Sequence, residues 1–526
     1  MVSEKGKSMA KRFLSLFLML FILLPAAACG EEKAAPKQLT NAEGFVYTLT
    51  GNGSAQITGY TGKKEKLEIP DTLDGHPVTA IVERAFFHAG ITGVTVPEGI
   101  RSVGSGAFEH CYSLKTVRLP EGLEFLGSDV FHSCTHLTTV NFPDSLKFVG
   151  DSIFSDCREI ASITLSPDHP LLELADGVLF NRQAKRLLWY DPAKKDETYA
   201  IPEGTLSIGS QAFFGATPTA ITVPDSVEEI ARYAFSSCLN LKKINIPAKV
   251  TELNAVFPGR GTLVDIQVSP DNPVFYTQDG VLFDREKKAL VIYPGGREDE
   301  RYEIPDGTLA IASETFMRAK LSEIVIPGSV KVIGSNTFLF CDRLTSITIP
   351  EGVEEIKGLA FQSCAGLKEI RLPRSLVKVG ENPIRQCVNL RKIIVSEDHP
   401  ALAVMDDALV SLEDMRLIWY PPAADRKKYT VPQGIRIIDC YAFSFNDQLT
   451  EITLPEGVEE LRENVFDYCS NLKRVVLPKS LKEINRTAFH SGESRKDMIP
   501  VTYAVVKGSY AENFCKSYNL KIQYHK

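Results

Sequence analysis

"IPEGVEEIKGLAFQSCAGLKEIRLP" occupies residues 349–373, and it both begins and ends on an apolar residue followed by proline. Prolines of this kind stand at 70, 97, 120, 143, 202, 224, 247, 305, 327, 350, 373, 432, 455 and 478. After the first step they are 22 or 23 residues apart, except at three jumps of 58 or 59. So regular a period marks stacked repeats rather than separate domains. The apolar positions inside one period are also constant. Leu114, Val117 and Leu119 alternate ahead of Pro120, and Leu123, Leu126, Phe131 and Cys134 follow. "LKTVRLP" reads as a short strand with one face inward, ended by a residue that cannot donate to a ladder. "GLEFLG" reads as a second extended piece closed by a turn glycine. "SDVFHSC" is too short for an ordinary helix and predicts a single helical or 3₁₀ turn. One such unit cannot bury its own apolar side, so the units must stack into a solenoid with a continuous core. That single elongated body replaces the three or four domains that 526 residues would otherwise suggest.

The three long jumps are repeats of another kind, for example "SPDHPLLELADGVLFNRQAKRLLWYDPAKKDETYAIP". Each holds two apolar strands around a polar turn and predicts a β-hairpin laid into the stack. "FVYTLTGNGSAQITGY" predicts a hairpin that caps the N-terminal end, where core and strand edge would otherwise be exposed. The last residues predict a C-terminal cap of one strand, a short helix and a final strand.

The repeated "IP…AF…C" pattern, as in "LTSITIPEGVEEIKGLAFQSCAG", resembles the BspA-like leucine-rich-repeat family of bacterial surface proteins, from about Phe45 to the C-terminus. The resemblance implies a mainly β, right-handed leucine-rich-repeat solenoid of about 23-residue turns, with hairpin islands and capped ends. It further implies protein recognition, either adhesion to host or neighbouring-cell proteins or a scaffold role in the envelope. The expected organisation is a signal peptide at 1–28, a lipidated cysteine with polar tether at 29–44, and the N-terminal cap at 45–69. The solenoid follows at 70–499, with islands near 166–201, 269–304 and 396–431, and the C-terminal cap takes 500–526.

The address comes from the first thirty residues. Lys5, Lys7, Lys11 and Arg12 precede an apolar run from Phe13 to Ala28 that is shorter than the roughly 20 residues of a membrane span. That is a secretory signal. Cys29 follows Ala26, Ala27 and Ala28, which resembles a bacterial lipoprotein signal in which this cysteine receives the lipid. Ala26 departs from that pattern, which prefers Leu or another aliphatic there, and leaves ordinary cleavage after Ala28 as the alternative. Membrane contact is expected through the lipid alone.

Eleven cysteines in an exported chain usually mean disulfides. Here Cys111, Cys134, Cys157, Cys238, Cys341, Cys364, Cys387 and Cys469 each lie three residues after Phe108, Phe131, Phe235, Phe338, Phe361, Phe466 or their equivalents. Other repeats carry Ala89, Ala216, Ala319, Asn446, Gly492 or Arg260 at that point. Small size and burial are therefore the expected requirement, and the column should be reduced. Together with the phenylalanines it forms the expected repeat core.

No HExxH, GxSxG, Walker or GxGxxG pattern is present in a context that would give it meaning. The nine histidines are scattered, and no cofactor or metal is expected. Asp168, Asp271 and Asp398 recur before xPro and predict Asx-turn capping rather than calcium loops. An enzyme or polysaccharide-processing protein on the repeat scaffold is the alternative, and it would need paired carboxylates in a cleft. The net charge of −7 speaks against nucleic acid. Lys115, Lys242, Lys243, Lys368, Lys473 and Arg474 recur just after the first Leu of the strand and predict a basic edge, the candidate surface for a protein ligand. Glu228, Glu229, Glu354, Glu355, Glu459 and Glu460 predict an acidic edge opposite. Trp189, Tyr190, Tyr293, Trp419 and Tyr420 end island strands and are expected to close the core.

Overall fold

The stretches before most of the prolines form three-residue strands whose middle apolar side chain points inward: in Thr116–Arg118, Val117 is buried and its two neighbours are exposed. A computed structural model describes residues 37–257, 261–490 and 499–525. In it Thr116–Arg118 runs parallel to Gly93–Thr95 on one side and to Thr139–Asn141 on the other. The second extended piece forms a two-residue strand, with Phe125–Leu126 parallel to Ser102–Val103 and Phe148–Val149. Each coil thus contributes to a long-strand face and a short-strand face. A turn joins the two. Leu123 N donates to Pro120 O, and Gly122 between them has φ of 103°, the left-handed value that position i+2 of a type II turn demands. The Ser145 hydroxyl of the next coil accepts from Gly122 N at 2.9 Å and donates to Leu123 O at 2.7 Å. Ser226, Ser329, Ser375 and Ser480 do the same in their coils.

The third side of the coil departs from expectation. No helical or 3₁₀ turn forms around "GSGAFEHC". Local bonds alternate with bonds to the next coil: Ala107 N to Gly104 O, Phe108 N to Val130 O, Glu109 N to Gly106 O, His110 N to His132 O. Gly106 and His110 have φ near 60°, and each such left-handed residue stops a helix from propagating. The N–H groups released this way make a third ladder along the stack.

Phenylalanine rings stack along the axis, Phe338 on Phe361 at 4.8 Å and Phe466 on Phe489 at 5.8 Å, both nearly parallel. Phe108, Phe131, Phe235, Phe338, Phe361 and Phe466 are all buried. The core is nevertheless not one continuous body. It falls into four clusters, and the islands are the walls between them.

Each island has three antiparallel strands, not the expected two. The first is Leu172–Ala175, Val178–Asn181 and Arg186–Tyr190, and the last of these runs parallel to Ser207–Ile208. The extra strand buries only its first residue, so its sequence lacks a strong alternation. The other two bury both sides. Leu179, Leu188 and Trp189 pack into the preceding cluster, and Val178, Leu187 and Tyr190 into the following one. Tyr190, Tyr293 and Tyr420 each head the phenylalanine column of the next block, against Phe213, Phe316 and Phe443. Trp189 closes the preceding column against Phe154.

At the N-terminal end Leu39–Thr40 pairs with Phe45–Leu49, so the cap starts inside the stretch expected to be tether. Phe45–Leu49 and Ala55–Tyr60 form the expected hairpin, and Ala55–Tyr60 joins His76–Ile81 in parallel. At the other end Thr502–Val506, the helix Tyr510–Ser517 and Ile522–His525 form the expected strand, helix and strand. The signal segment and Cys29 lie outside the described residues.

Candidate functional site

Cysteine placement follows a rule finer than small size. Each column thiol is buried and sits 3.0–3.1 Å from the carbonyl oxygen of the phenylalanine one coil back: Cys111 to Phe86, Cys134 to Phe108, Cys364 to Phe338, Cys469 to Phe443 and likewise the rest. Cysteine thus serves in this column as a small residue that can also donate. In the first coil after an island, where the carbonyl belongs to a tyrosine, the residue is Ala216, Ala319 or Asn446, and Asn446 Nδ2 donates to Tyr420 O. Gly492 and Arg260 lie outside the described residues. Burial pushes the Cys111, Cys238 and Cys469 thiols up to about 12, and Cys134, Cys157 and Cys341 also upward. Every cysteine among the described residues is a free thiol. These are structural groups.

The island turns are capped, but not by the aspartates. His169 Nδ1 accepts from Leu171 N and Leu172 N, which leaves Nε2 to donate to Pro143 O at 2.9 Å. His399 repeats the set on Pro373 O. Asn272 repeats it in the middle island, its oxygen accepting from Val274 N and Phe275 N while Nδ2 donates to Pro247 O. Asp168, Asp271 and Asp398 precede the residue that caps.

The charged edges are also placed differently. Lys115, Lys242, Lys243, Lys368 and Lys473 are exposed and Arg474 is half-buried. Hydrogen bonds from coil to coil put Lys115 between Thr92 and Thr138, Lys242 between Thr219 and Val264, and Lys368 between Thr345 and Arg391. Lys473 follows Thr450 and precedes Thr502. Lys243 pairs with Ala220 and Asp265, and Arg474 with Glu451 and Thr502. The six are thus dispersed, with no continuous basic stripe. The acidic positions are interleaved with bases: Glu124 meets Lys147, Glu228 meets Lys249, Glu354 meets Lys331, and Glu459 meets Arg436 and Lys482, all within 3.1 Å. Such exposed pairs contribute about 0–1 kcal/mol each. That edge is a ladder of alternating charge.

A different surface stands out. Lys66–Glu68, Gly93–Thr95, Thr116–Arg118, Thr139–Asn141 and Ser162–Thr164 form a five-stranded parallel sheet whose outer side carries an open groove of about 600 Å³. One row reads Lys66, Gly93, Thr116, Thr139, Ser162, and the neighbouring row includes Glu68, Thr95, Arg118 and Thr164. Thr95, Thr116, Arg118, Thr139, Ser162 and Thr164 are exposed. Asn141 is occupied, bonding both N and O of Leu119 at 2.8 Å. The groove's only carboxylate is Glu68, so the carboxylate pair that the enzyme alternative requires is absent from it. On the short-strand face Phe125 and Phe148 are 40% and 47% exposed and stack at 4.8 Å.

Three of the nine histidines come together on the third side. His88 stacks on His110 at 4.9 Å, and His110 meets His132 edge-on at 5.5 Å. Ligating atoms of Glu109, His110 and His132 all lie within 4.8 Å of one another. Glu109 Oε2 accepts from Arg84 Nε at 3.1 Å, and Oε1 lies 3.5 Å from His110 Nε2. Burial holds the His110 imidazole below its ordinary pKa; Glu109 opposes this, while His132, His88 and Arg84 add to it.

The family model described as "BspA type Leucine rich repeat region (6 copies)" matches residues 61–181, 193–276, 300–403 and 424–523. The chain belongs to the BspA-type leucine-rich repeat family. Solved structures similar to this BspA-type chain include a leucine-rich cell surface protein of Faecalibacterium prausnitzii, 23% identical over 70% of this chain and 97% of that one, with a TM-score of 0.40. A leucine-rich repeat protein of Bacteroides ovatus is 17% identical over 92% and 98%, TM-score 0.30. The pneumococcal vaccine antigen PcpA is 17% identical over 93% and 99%, TM-score 0.31. No curated protein matches the chain. Among the described residues, no helix is long and apolar enough to cross a membrane.

Sequence reading of this BspA-type chain missed the hydroxyl rows and the histidine group for different reasons. Threonine and serine are unremarkable singly, and only the strand register lines them up. The histidines carried a signal: 88, 110 and 132 are one repeat length apart, which in a solenoid means adjacent coils.

Proposed function

We propose that this is an exported, lipid-anchored surface protein that recognises another protein across the long-strand face of its first block. The observation that carries this reading is the groove over residues 66–164, an open row of short hydroxyl side chains beside a second row that carries Arg118. Short side chains lose little entropy when covered, and they offer both donors and acceptors to a partner. Arginine is a favoured interface anchor. Continued over neighbouring coils, such a face can supply the roughly 1,200–2,000 Å² that specific complexes bury. Lys115 borders the threonine row, and with Lys242, Lys243, Lys368, Lys473 and Arg474 it would steer an acidic partner rather than hold it. Anchoring through Cys29 would present the solenoid outside the membrane, since multiple acylation holds where a single chain binds only marginally.

The test starts with a partner captured by the mature chain from host-matrix or cell-envelope extracts. Thr116→Arg with Thr139→Arg should abolish its binding and leave thermal stability unchanged. Reversing Lys115, Lys242, Lys368 and Lys473 to Glu should slow association and flatten its salt dependence, with little change in dissociation. Loss of binding through Phe125→Ser with Phe148→Ser, and none through the threonine pair, would move recognition to the short-strand face and refute this assignment. Cys29→Ser should shift the protein from the detergent to the aqueous phase; unchanged partitioning would end the lipid-anchor reading.

A further inference from the structure

We propose that Glu109, His110 and His132 bind a divalent transition cation, with zinc the ion that matches the donor set. The two imidazoles and one carboxylate come from adjacent coils, and the stack itself holds them together: His110 N donates to His132 O at 2.8 Å. Zinc takes nitrogen ligands at about 2.0–2.1 Å and carboxylate oxygen at about 2.0–2.2 Å, which puts tetrahedral neighbours about 3.4 Å apart. His110 Nε2 and Glu109 Oε1 are already 3.5 Å apart. Their surroundings orient them as outer partners orient metal ligands. The Tyr112 hydroxyl lies 3.1 Å from His110 Nδ1, so the tautomer that donates from Nδ1 leaves the Nε2 lone pair toward Glu109. Arg84 engages Oε2 and leaves Oε1 for the ion. His132 supplies the independent sign: its Nδ1 is shielded from solvent and has no hydrogen-bond partner, a state that costs free energy unless a ligand takes that nitrogen.

The ligand atoms, now within 4.8 Å of one another, must close to about 3.4 Å, and His132 has no protein hydrogen bond at Nδ1 to give up. Asp129 and His88 face the same group, and the half-exposed position leaves a fourth ligand site open to water. Two imidazoles favour zinc or its neighbours over calcium and magnesium, which prefer all-oxygen sites.

The experiment is calorimetric titration of Zn²⁺ into the tag-free mature chain, paired with Co²⁺ absorption. Expected are one micromolar-range site and a Co²⁺ spectrum without thiolate charge-transfer bands. His132→Gln should weaken binding at least tenfold, with an unchanged melt in the absence of metal. Tyr112→Phe sits on an exposed ring and keeps the fold. It removes only the group that orients His110, so affinity should fall about tenfold. Thiolate bands in the spectrum, no binding at millimolar Zn²⁺, or wild-type affinity in both variants would each overturn the proposal. Should His132→Gln fail to fold, the Tyr112→Phe titration decides alone.

Discussion

A single column position shows how far residue identity alone can be read. Sequence spacing identifies the position as small and interior, because Cys, Ala and Gly alternate there. It does not say why cysteine dominates, since the acceptor is a backbone carbonyl 25 or 26 residues away. The thiol both fills the space and gives that carbonyl a second hydrogen bond beside the one from its own coil. Cys134→Ala should therefore cost about 1 kcal/mol, as a small cavity plus the loss of one of two hydrogen bonds to the Phe108 oxygen, which keeps the Cys111 N–H at 3.2 Å. Thiol ionisation should also couple to folding. An unfolded thiol loses its proton near 8.5, whereas Cys111, Cys238 and Cys469 hold theirs up to about 12. Between those values the unfolded chain binds fewer protons, so stability falls as pH rises, by about 1.4 kcal/mol per pH unit for each such thiol. It is fully present below about 8.5 and lost towards 12. Denaturant midpoints from pH 7 to 10 would check this, and a midpoint that stays level above pH 9 would contradict it. Apart from the partly exposed Cys440, the thiols among the described residues should react readily only after unfolding.

The element least visible in sequence is the turn of the third side, and the most visible is the C-terminal cap. "GSGAFEHC" and its equivalents look helical because single-residue left-handed geometry at Glu, His, Ser or Tyr carries no side-chain signature. Gly106 and Gly215, with Asp129, Asn336 and Asn464 at equivalent positions, are the hints it leaves. "SYAE" by contrast spells a helix start. Ser509 Oγ accepts from Glu512 N at 3.1 Å, and the Glu512 carboxylate reaches back past the N-cap to accept from Gly508 N, a variant of the capping box shifted by one residue. Lys516 Nζ at 2.6 Å and Tyr524 Oη at 2.7 Å complete that carboxylate. Hydrogen bonds from Lys516, then Tyr524, then Gly508 hold its pKa down to about 2. Because the folded value lies below the unfolded one near 4.3, the contribution is complete above about pH 4.3. It is lost as pH falls through about 2. Hydrogen exchange of residues 502–525 should therefore quicken over that window in the wild type. Glu512→Gln should loosen the same segment already at pH 7. A cap whose protection is equal in both proteins at both pH values would show that packing, not this carboxylate, holds the end.

At the scale of the molecule the period predicts stacking, and stacking alone predicts one long core. The division into four clusters was not legible, because an island strand buried on both sides reads as a plain apolar run. Nothing in "DGVLF" or "LLWY" tells which neighbour each side chain serves. The register does: Trp189 faces back and Tyr190 forward, Trp419 back and Tyr420 forward. This arrangement changes how damage should travel. Phe361 lies in the third block, stacked on Phe338 and bounded by the islands that carry Tyr293 and Trp419. Phe361→Ala should cost about 3–5 kcal/mol, the value for emptying a large buried aromatic site. In an unbroken solenoid the loss would fade with distance along the coils. With two-faced walls it should instead spread through residues 281–419 and stop there, because each wall keeps its contacts with the intact block beyond. Hydrogen exchange can separate these outcomes. Protection should drop across the third block, while residues 45–189 remain as in the wild type. A gradient that passes smoothly through residues 275–292, or a uniform drop from cap to cap, would mean that the islands do not act as boundaries and the stack unfolds as one body.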